Sequence, residues 1–203
     1  MTVPASGRPG LDAEPAGPHA APVLLGLPDP PLADRDAGIV LRPWRPTDGD
    51  VAALVTAWTD PRLVAANGAP AEVSADRAAR WIRGEPARRA AGSCLDLVVA
   101  PAGVGIDGSA VLGEVGLRNI DHDRRRAEIG WWIAADHRGR GLAIAAVRLL
   151  VDWALSASGG FVQVWARIDR TNEVSCRVAR SAGFVELGEA DGSLVWSRTP
   201  DPA

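Results

Sequence analysis

Between Asp136 and Leu150 the chain reads DHRGRGLAIAAVRLL, in which two glycines and two arginines run straight into an apolar helical pattern. Residues of these types at this spacing suit an anion. The first turn of a helix leaves backbone N–H groups without partners and carries a partial positive charge. Gly139 and Gly141 let the backbone approach a bound group closely, and Arg138 and Arg140 add charge. Phosphate or pyrophosphate is the anion that such a turn holds best. A glycine turn of this kind also occurs as a plain strand-to-helix connection, so its surroundings decide the matter.

Two nucleotide classes are excluded at once. A P-loop needs a lysine, and the sequence has none. A dinucleotide fingerprint needs a small residue where Ile144 stands and an acid about twenty positions on, and the region around Gln163 lacks that acid. Asn172 and Ser175 are both helix-capping types; an N-cap Asn172 with Ser175 in the first turn would need no further function. His122 and His137 fall in turns, the latter close enough to the glycines to touch a phosphate or simply to be solvated. Cys94 and Cys176 lie far apart without metal-ligand spacing, which fits a reducing compartment and buried thiols rather than a nucleophile or a metal site.

The elements that position these residues follow from pattern. With 203 residues the chain fits one domain. Half of the 16 prolines precede Asp34, so residues 1–37 are expected to be a flexible Pro/Gly/Ala-rich segment, residues 38–199 the folded domain and 200–203 a tail. Ile39–Trp44 reads as a strand that Pro43 ends or places at an edge. Thr47 or Asp48 can cap a helix to about Trp58, and a second helix follows Ser74. Strand-like runs cover 94–100, 110–119 and 126–134, with Gly103, Gly105 and Gly108 in one turn and NIDHDRRR in the next. A largely buried helix spans Leu142 to Ala157, with Arg148, Asp152 and Ser156 as a narrow polar stripe. An apolar strand from Phe161 to Ile168, a helix from about Asn172 to Ala182 capped by Gly183, and a last strand at Leu194–Ser197 complete a mixed α/β sheet.

Charge bounds the partners. A net charge of −3 and a pI of about 5.6 argue against a nucleic-acid or anionic-membrane surface, and the run Arg124–Arg126 reads as a solvated turn. No apolar run approaches the ~20 residues of a membrane span, and no signal pattern stands at the N-terminus, so a cytoplasmic protein is expected.

Three motifs in order carry a resemblance to a known family. Arg138-Gly139-Arg140-Gly141-Leu142-Ala143 matches R-x-x-G-x-A, the pyrophosphate loop of the GNAT superfamily of N-acetyltransferases. NEVSCRVARSAGF (Asn172 to Phe184) resembles the N-x-x-S…GF segment of the branch that acetylates the N-termini of ribosomal proteins (RimJ/RimL-like), and AEIGWWI (Ala127 to Ile133) resembles that branch's strand before the loop. The resemblance covers about Gly38 to Ser197. It implies a three-layer fold with a mostly antiparallel twisted sheet, flanked by helices and splayed between two strands. It also implies acetyl-CoA as co-substrate and no metal. Trp132, Ile133 and Ala134 would lie beside the pantetheine arm. Arg138, Gly139, Arg140, Gly141, Leu142 and Ala143 would hold the diphosphate, and Asn172 the pantetheine region.

Acetyl transfer to an amine needs a neutral amine, stabilisation of the carbonyl oxygen and a proton for the departing thiolate. On a strand Arg126, Glu128, Gly130 and Trp132 share one face, and Ala127, Ile129, Trp131 and Ile133 the other. Glu128, in the strand before the loop, is the candidate base, directly or through water; its alternative role is an ion pair with an arginine. Many family members use a tyrosine as the acid, and this chain has none, which leaves Ser175 or water. Trp132 can wall the acceptor slot, which the resemblance places within about Trp58–Trp81, where Asp60, Glu72 and Asp76 could attract an amine. A peptide N-terminus and a small-molecule amine stay open as acceptors, as does a homodimer. The competing reading is an inactive acyl-CoA-binding sensor or interaction module.

Overall fold

The computed structural model describes residues 25–67, 70, 72–103 and 110–200. Gly105, Gly108, the first 24 residues of the expected N-terminal segment and all but Pro200 of the tail lie outside them.

Among the described residues the first element is a two-residue strand, β1 (Ala33–Asp34), which pairs antiparallel with β2 (Ile39–Pro43) ahead of the expected domain start. Helix α1 (Asp48–Thr59) starts at Thr47, whose hydroxyl accepts the Asp50 N–H, and α3 (Ala75–Ala90) at Ser74, whose hydroxyl accepts the Arg77 N–H. Between them lies α2 (Pro61–Asn67), which the sequence reading passed over. Strands β3 (Leu95–Pro101), β4 (Gly113–Asp121) and β5 (Arg126–Ile133) form an antiparallel meander. The long helix α4 (Leu142–Leu155), β6 (Gln163–Asp169), α5 (Glu173–Ser181), β7 (Val185–Ala190) and β8 (Ser193–Arg198) follow. Strand β7 went unread because VELGEA has no alternating apolar face, and in the fold it is exposed along its whole length.

The sheet order is β1-β2-β3-β4-β5-β6-β8-β7, mixed and mostly antiparallel, with β5–β6 as its parallel pair. Alternate residues of the strands build the two faces. Leu95, Leu97, Val115, Leu117, Ala127, Ile129, Val164 and Ala166 bury one face beneath Ala146, Val147, Leu150 and Val151 of α4 and Val178 and Ala179 of α5. The polar stripe of α4 is put to use: Arg148 donates to the Ser181 carbonyl, and Asp152 pairs with Arg198 at 2.6 Å. On the other face Val98 and Ala100 are covered by Leu54 of α1 and Ala78 and Ile82 of α3, with Trp44 between. The result is three layers.

The second layer is fastened by a buried ion pair. Arg42 of β2 donates both terminal nitrogens to Asp50 of α1 at 2.7 Å each, and Asp50 also accepts the Arg45 N–H at 2.9 Å. Both side chains are nearly inaccessible (4% and 1%), so neither charge has water to fall back on. Removing one partner would strand the other, which typically costs about 3–5 kcal/mol. Asp50→Ala should lower the unfolding free energy by that amount in urea titration; a loss under about 1 kcal/mol would show that the pair does not fasten the layer.

Candidate active site

The site is made by a fork. Strands β5 and β6 pair at Arg126–Gln163, Ala127–Val164 and Glu128–Trp165, and then part. β5 continues along β4 to Ile133, while β6 continues along β8 to Asp169. The Ala134 N–H bonds the Leu112 carbonyl, so by strand alternation Trp132 turns its backbone to β4, whereas Trp131 and Ile133 turn theirs to the open side. The Ile133 carbonyl there accepts Nε of Arg138 at 2.9 Å.

Glu128 stands at the crotch. Its carboxylate takes Nδ2 of Asn119 at 2.6 Å, a terminal nitrogen of Arg118 at 3.2 Å and one of Arg167 at 3.5 Å, and the residue is 2% exposed. Asn119 reaches it because β4 breaks register between Arg118 and Asp121, with Asn119 itself at φ +48°. The expected base is thus also the tie between both arms of the fork.

Beyond the fork, β5 enters a short 3₁₀ turn (Ala135–His137) and then the glycine-arginine loop. Gly139 and Gly141 adopt φ +77° and +76°, the left-handed region that costs other residues about 1–2 kcal/mol. Gly141 is the N-cap of α4 and supplies no side-chain cap, so the first N–H groups of the helix stay open. Nδ1 of His137 is buried in the same turn without a partner among the described residues. Arg138 is engaged: it pairs with Asp60 at 2.5 Å, across from the start of α2. Burial works against the Asp60 carboxylate, but the Arg62 N–H and the Arg138 guanidinium outweigh it and hold its pKa below the usual range. Arg140 is exposed and donates to the Asp136 carbonyl.

Fork and loop open into a cleft of about 1510 Å³. Of the residues expected at the site, Glu128, Ser175, Trp132, Ile133, Arg138, Gly139, Gly141, Leu142, Ala143 and Asn172 line it, and Ala134 and Arg140 do not. Leu142 is at the same time a core residue, 8% exposed. Asn172 caps α5 through its Oδ1, which accepts the Ser175 N–H at 3.1 Å. Trp131 packs on the α4 side of the sheet and Trp132 on the opposite side, beside Val98 and Leu54. Of the three acids considered for the acceptor, Asp60 belongs to Arg138 and Glu72 accepts the Ser74 hydroxyl at 2.5 Å, while Asp76 lies in the first turn of α3. Burial, with Asp96 nearby, pushes the Cys94 thiol up to about 11, which leaves it no nucleophile at neutral pH.

The β5 part of this cleft's floor was expected from the sequence; what β3, β4 and β6 add to it was not. Asp96 of β3, Glu114, Gly116 and Arg118 of β4, and Glu128, Gly130 and Trp132 of β5 all face it, with Arg167 of β6 on the far arm. Gly116 and Gly130 are directly paired and leave a bare patch. A Cβ at Gly116 would stand 2.8 Å from Oδ1 of Asp96, and one at Gly130 would stand 3.3 Å from Cζ of Arg118. The signal was present: in GEVGLR, Glu114, Gly116 and Arg118 alternate with Val115 and Leu117, as Glu128 and Gly130 do with Ile129.

Parts of the sequence, and the fold, are similar to known proteins. A provisionally named ribosomal N-acetyltransferase, YdaF of Bacillus subtilis strain 168, is 38% identical over 100 residues, 49% of this chain and 53% of its own length. Spermidine N(1)-acetyltransferase of Escherichia coli K12 is 32% identical over 77 residues, 38% of this chain and 41% of its own. The chain thus spans about half the length, or less, of these curated relatives. The solved structure of Mycobacterium smegmatis RimJ in complex with CoA-disulfide superposes with a TM-score of 0.68 at 24% identity, over 80% of this chain and 83% of that one, which bears on the fold. The model of the acetyltransferase (GNAT) domain matches residues 39–185, and with the forked sheet and the uncapped helix behind Gly141 it shows that this chain belongs to the GNAT family of acetyltransferases.

Proposed function

We propose that this protein moves an acetyl group from acetyl-CoA to a primary amine by direct attack while both are bound, and that residues 38–199 carry the activity. The observation behind this is the fork leading into an uncapped α4. An extended pantetheine arm can pair with the backbone that Trp131 turns to the open side, and the pyrophosphate can meet the free N–H groups after Gly141. His137 offers a nitrogen to the same anion, and Arg138 reaches it on exchanging Asp60. Asn172, beside the arm, keeps its amide nitrogen for it while Oδ1 caps α5. The thioester oxygen, as it gains charge, is met by a β5 N–H. Ser175 lines the cleft and supplies a hydroxyl for the thiolate.

The acceptor is read as an amine approaching across the floor between α1, α3 and β5. The names of the relatives point both to a ribosomal protein and to a polyamine, so a peptide N-terminus and a small-molecule amine are both candidates. Glu128, the proton acceptor expected from the sequence, lines this floor, but three donors already share its two oxygens. A cytoplasmic setting goes with the reading, since both cysteines are buried free thiols.

Thiol release from acetyl-CoA, across peptides with different N-termini, lysine peptides, polyamines and aminoglycosides, tests the function. Release confined to one class identifies the acceptor. Quenching of tryptophan fluorescence by acetyl-CoA without release from any amine would favour a binding module and sink the transfer reading. Gly141→Ala places a Cβ at φ +76° and should weaken acetyl-CoA about tenfold in that quenching titration; unchanged affinity would remove the pyrophosphate from this loop.

A further inference from the structure

We propose that Glu114 is the group that takes the proton from the acceptor amine, an assignment that rests on the transfer reading above. Glu114 opposes Trp132 across the β4–β5 pair and stands diagonal to Gly130, at the end of the bare glycine patch away from Glu128. A group resting on Gly116 and Gly130 therefore has a carboxyl at each end. The diagonal spacing on a sheet is about 7–8 Å between Cα atoms, within reach of a carboxyl and one water. The two ends differ in what holds them. Glu128 is engaged by two guanidinium groups and an amide. Glu114 accepts Nε1 of Trp44 at 2.8 Å and is bonded by the Trp132 side chain, both uncharged donors that fix its direction and leave lone pairs for a proton.

The surroundings suit the role. Burial above all, and next the charge of Asp96, push the Glu114 carboxyl up to about 8, against the pull of the two indoles and of Arg118. A base is most effective when its pKa is near the working pH, and an α-amine titrates at nearly the same value. Every neighbouring element contributes its share. β3 brings Asp96, β4 brings Arg118 and β5 brings Trp132. From α3, Glu85 feels the same Asp96 charge, and Arg88 pairs with Asp96 at 3.6 Å. α1 brings Leu54, Ala57 and Trp58, none of them charged, and α2 brings Arg62 to the same cleft.

The step balances as follows. The ionised Glu114 takes one proton from the bound ammonium. The nitrogen lone pair forms a bond to the thioester carbonyl carbon, and the carbon–sulfur bond breaks. The thiolate keeps that electron pair and gains the second amine proton, through Ser175 or water. Glu114 then returns its proton to solvent. The net result is amide, CoA thiol and one proton.

Glu114→Gln keeps the shape and the acceptor for Trp44. With the amine that the wild-type protein accepts, it should lower kcat/KM at least 100-fold and leave acetyl-CoA quenching unchanged. Glu114→Asp should restore part of the rate. Trp44→Phe removes a donor that favours the charged form, so the rising limb of the pH–rate profile should move to higher pH. A fourth readout needs no activity. Between the ordinary carboxylate range and about 8, the folded state holds a proton that the unfolded state has lost. Folding stability should therefore fall with rising pH, up to tenfold in the folding constant per pH unit more steeply in the wild type than in Glu114→Gln. A wild-type protein that releases thiol while Glu114→Gln stays within threefold of it overturns this proposal alone. A wild-type protein that releases none removes the transfer reading, and this one with it.

Discussion

The site depends on the parting of β5 from β6. Two parallel strands would ordinarily go on pairing, because each unmade backbone bond in a sheet interior leaves polar groups stranded. Here they stop after three pairs, at the residue where Glu128 gathers Arg118 and Asn119 from one arm and Arg167 from the other. That carboxylate is almost wholly buried, so the donors around it are a condition of its being there at all. The bulge at Asn119 delivers one of them, and the sharp turn Asp121–Arg125 sends β5 back in register. The fork is thus a stable end state, with backbone groups of β5 facing its open side.

The floor under α1 and α3 is held from further away. Trp44 can donate to Glu114 only if the end of β2 is fixed relative to β4, and the Arg42–Asp50 pair with the Arg45 N–H fixes it. The same pair anchors α1, whose C-terminal end passes directly into Asp60 and so to Arg138. One buried ion pair therefore bears on both ends of the cleft: through Trp44 on the floor, and through Asp60 on the loop. A change that loosens α1 should be felt at both ends of the cleft.

How much of this could be read in the sequence follows from the range of each interaction. The caps at Thr47, Ser74 and Asn172, the α4 pattern and the glycines of the loop are local, and the residues that define them lie within one turn. α2 carried a local signal too, an Asp before a first-position Pro, and Asp60 does accept the Arg62 N–H. Strand β7 carried none, because both its faces meet solvent and selection for alternation is absent there. The alternation on each strand of the floor was legible, but which distant residues meet there was not. Trp44 and Glu114 are 70 positions apart and Asp60 and Arg138 are 78, so their meeting depends on a register that no short window contains. Glu128 stood out because the motif beside it did, and Glu114 sits one strand further in.

Two glutamates on one floor end in opposite circumstances through placement alone. At the fork, cationic donors from both arms reach Glu128, because the sheet is open there and long arginines can enter from solvent; Arg118 and Arg167 are each about half exposed. Glu114 lies under α1 and α3, where tryptophans fill the space, and the charge that acts on it most is that of another carboxylate, Asp96. Desolvation and like charge both favour the neutral carboxyl, and a neutral carboxyl costs a folded protein little at low pH and more as pH rises. The sheet tolerates this cost at Glu114 while it surrounds Glu128 with counter-charges. One carboxylate ties the two arms together at the fork, and the other lies where burial and a like charge favour its protonated form.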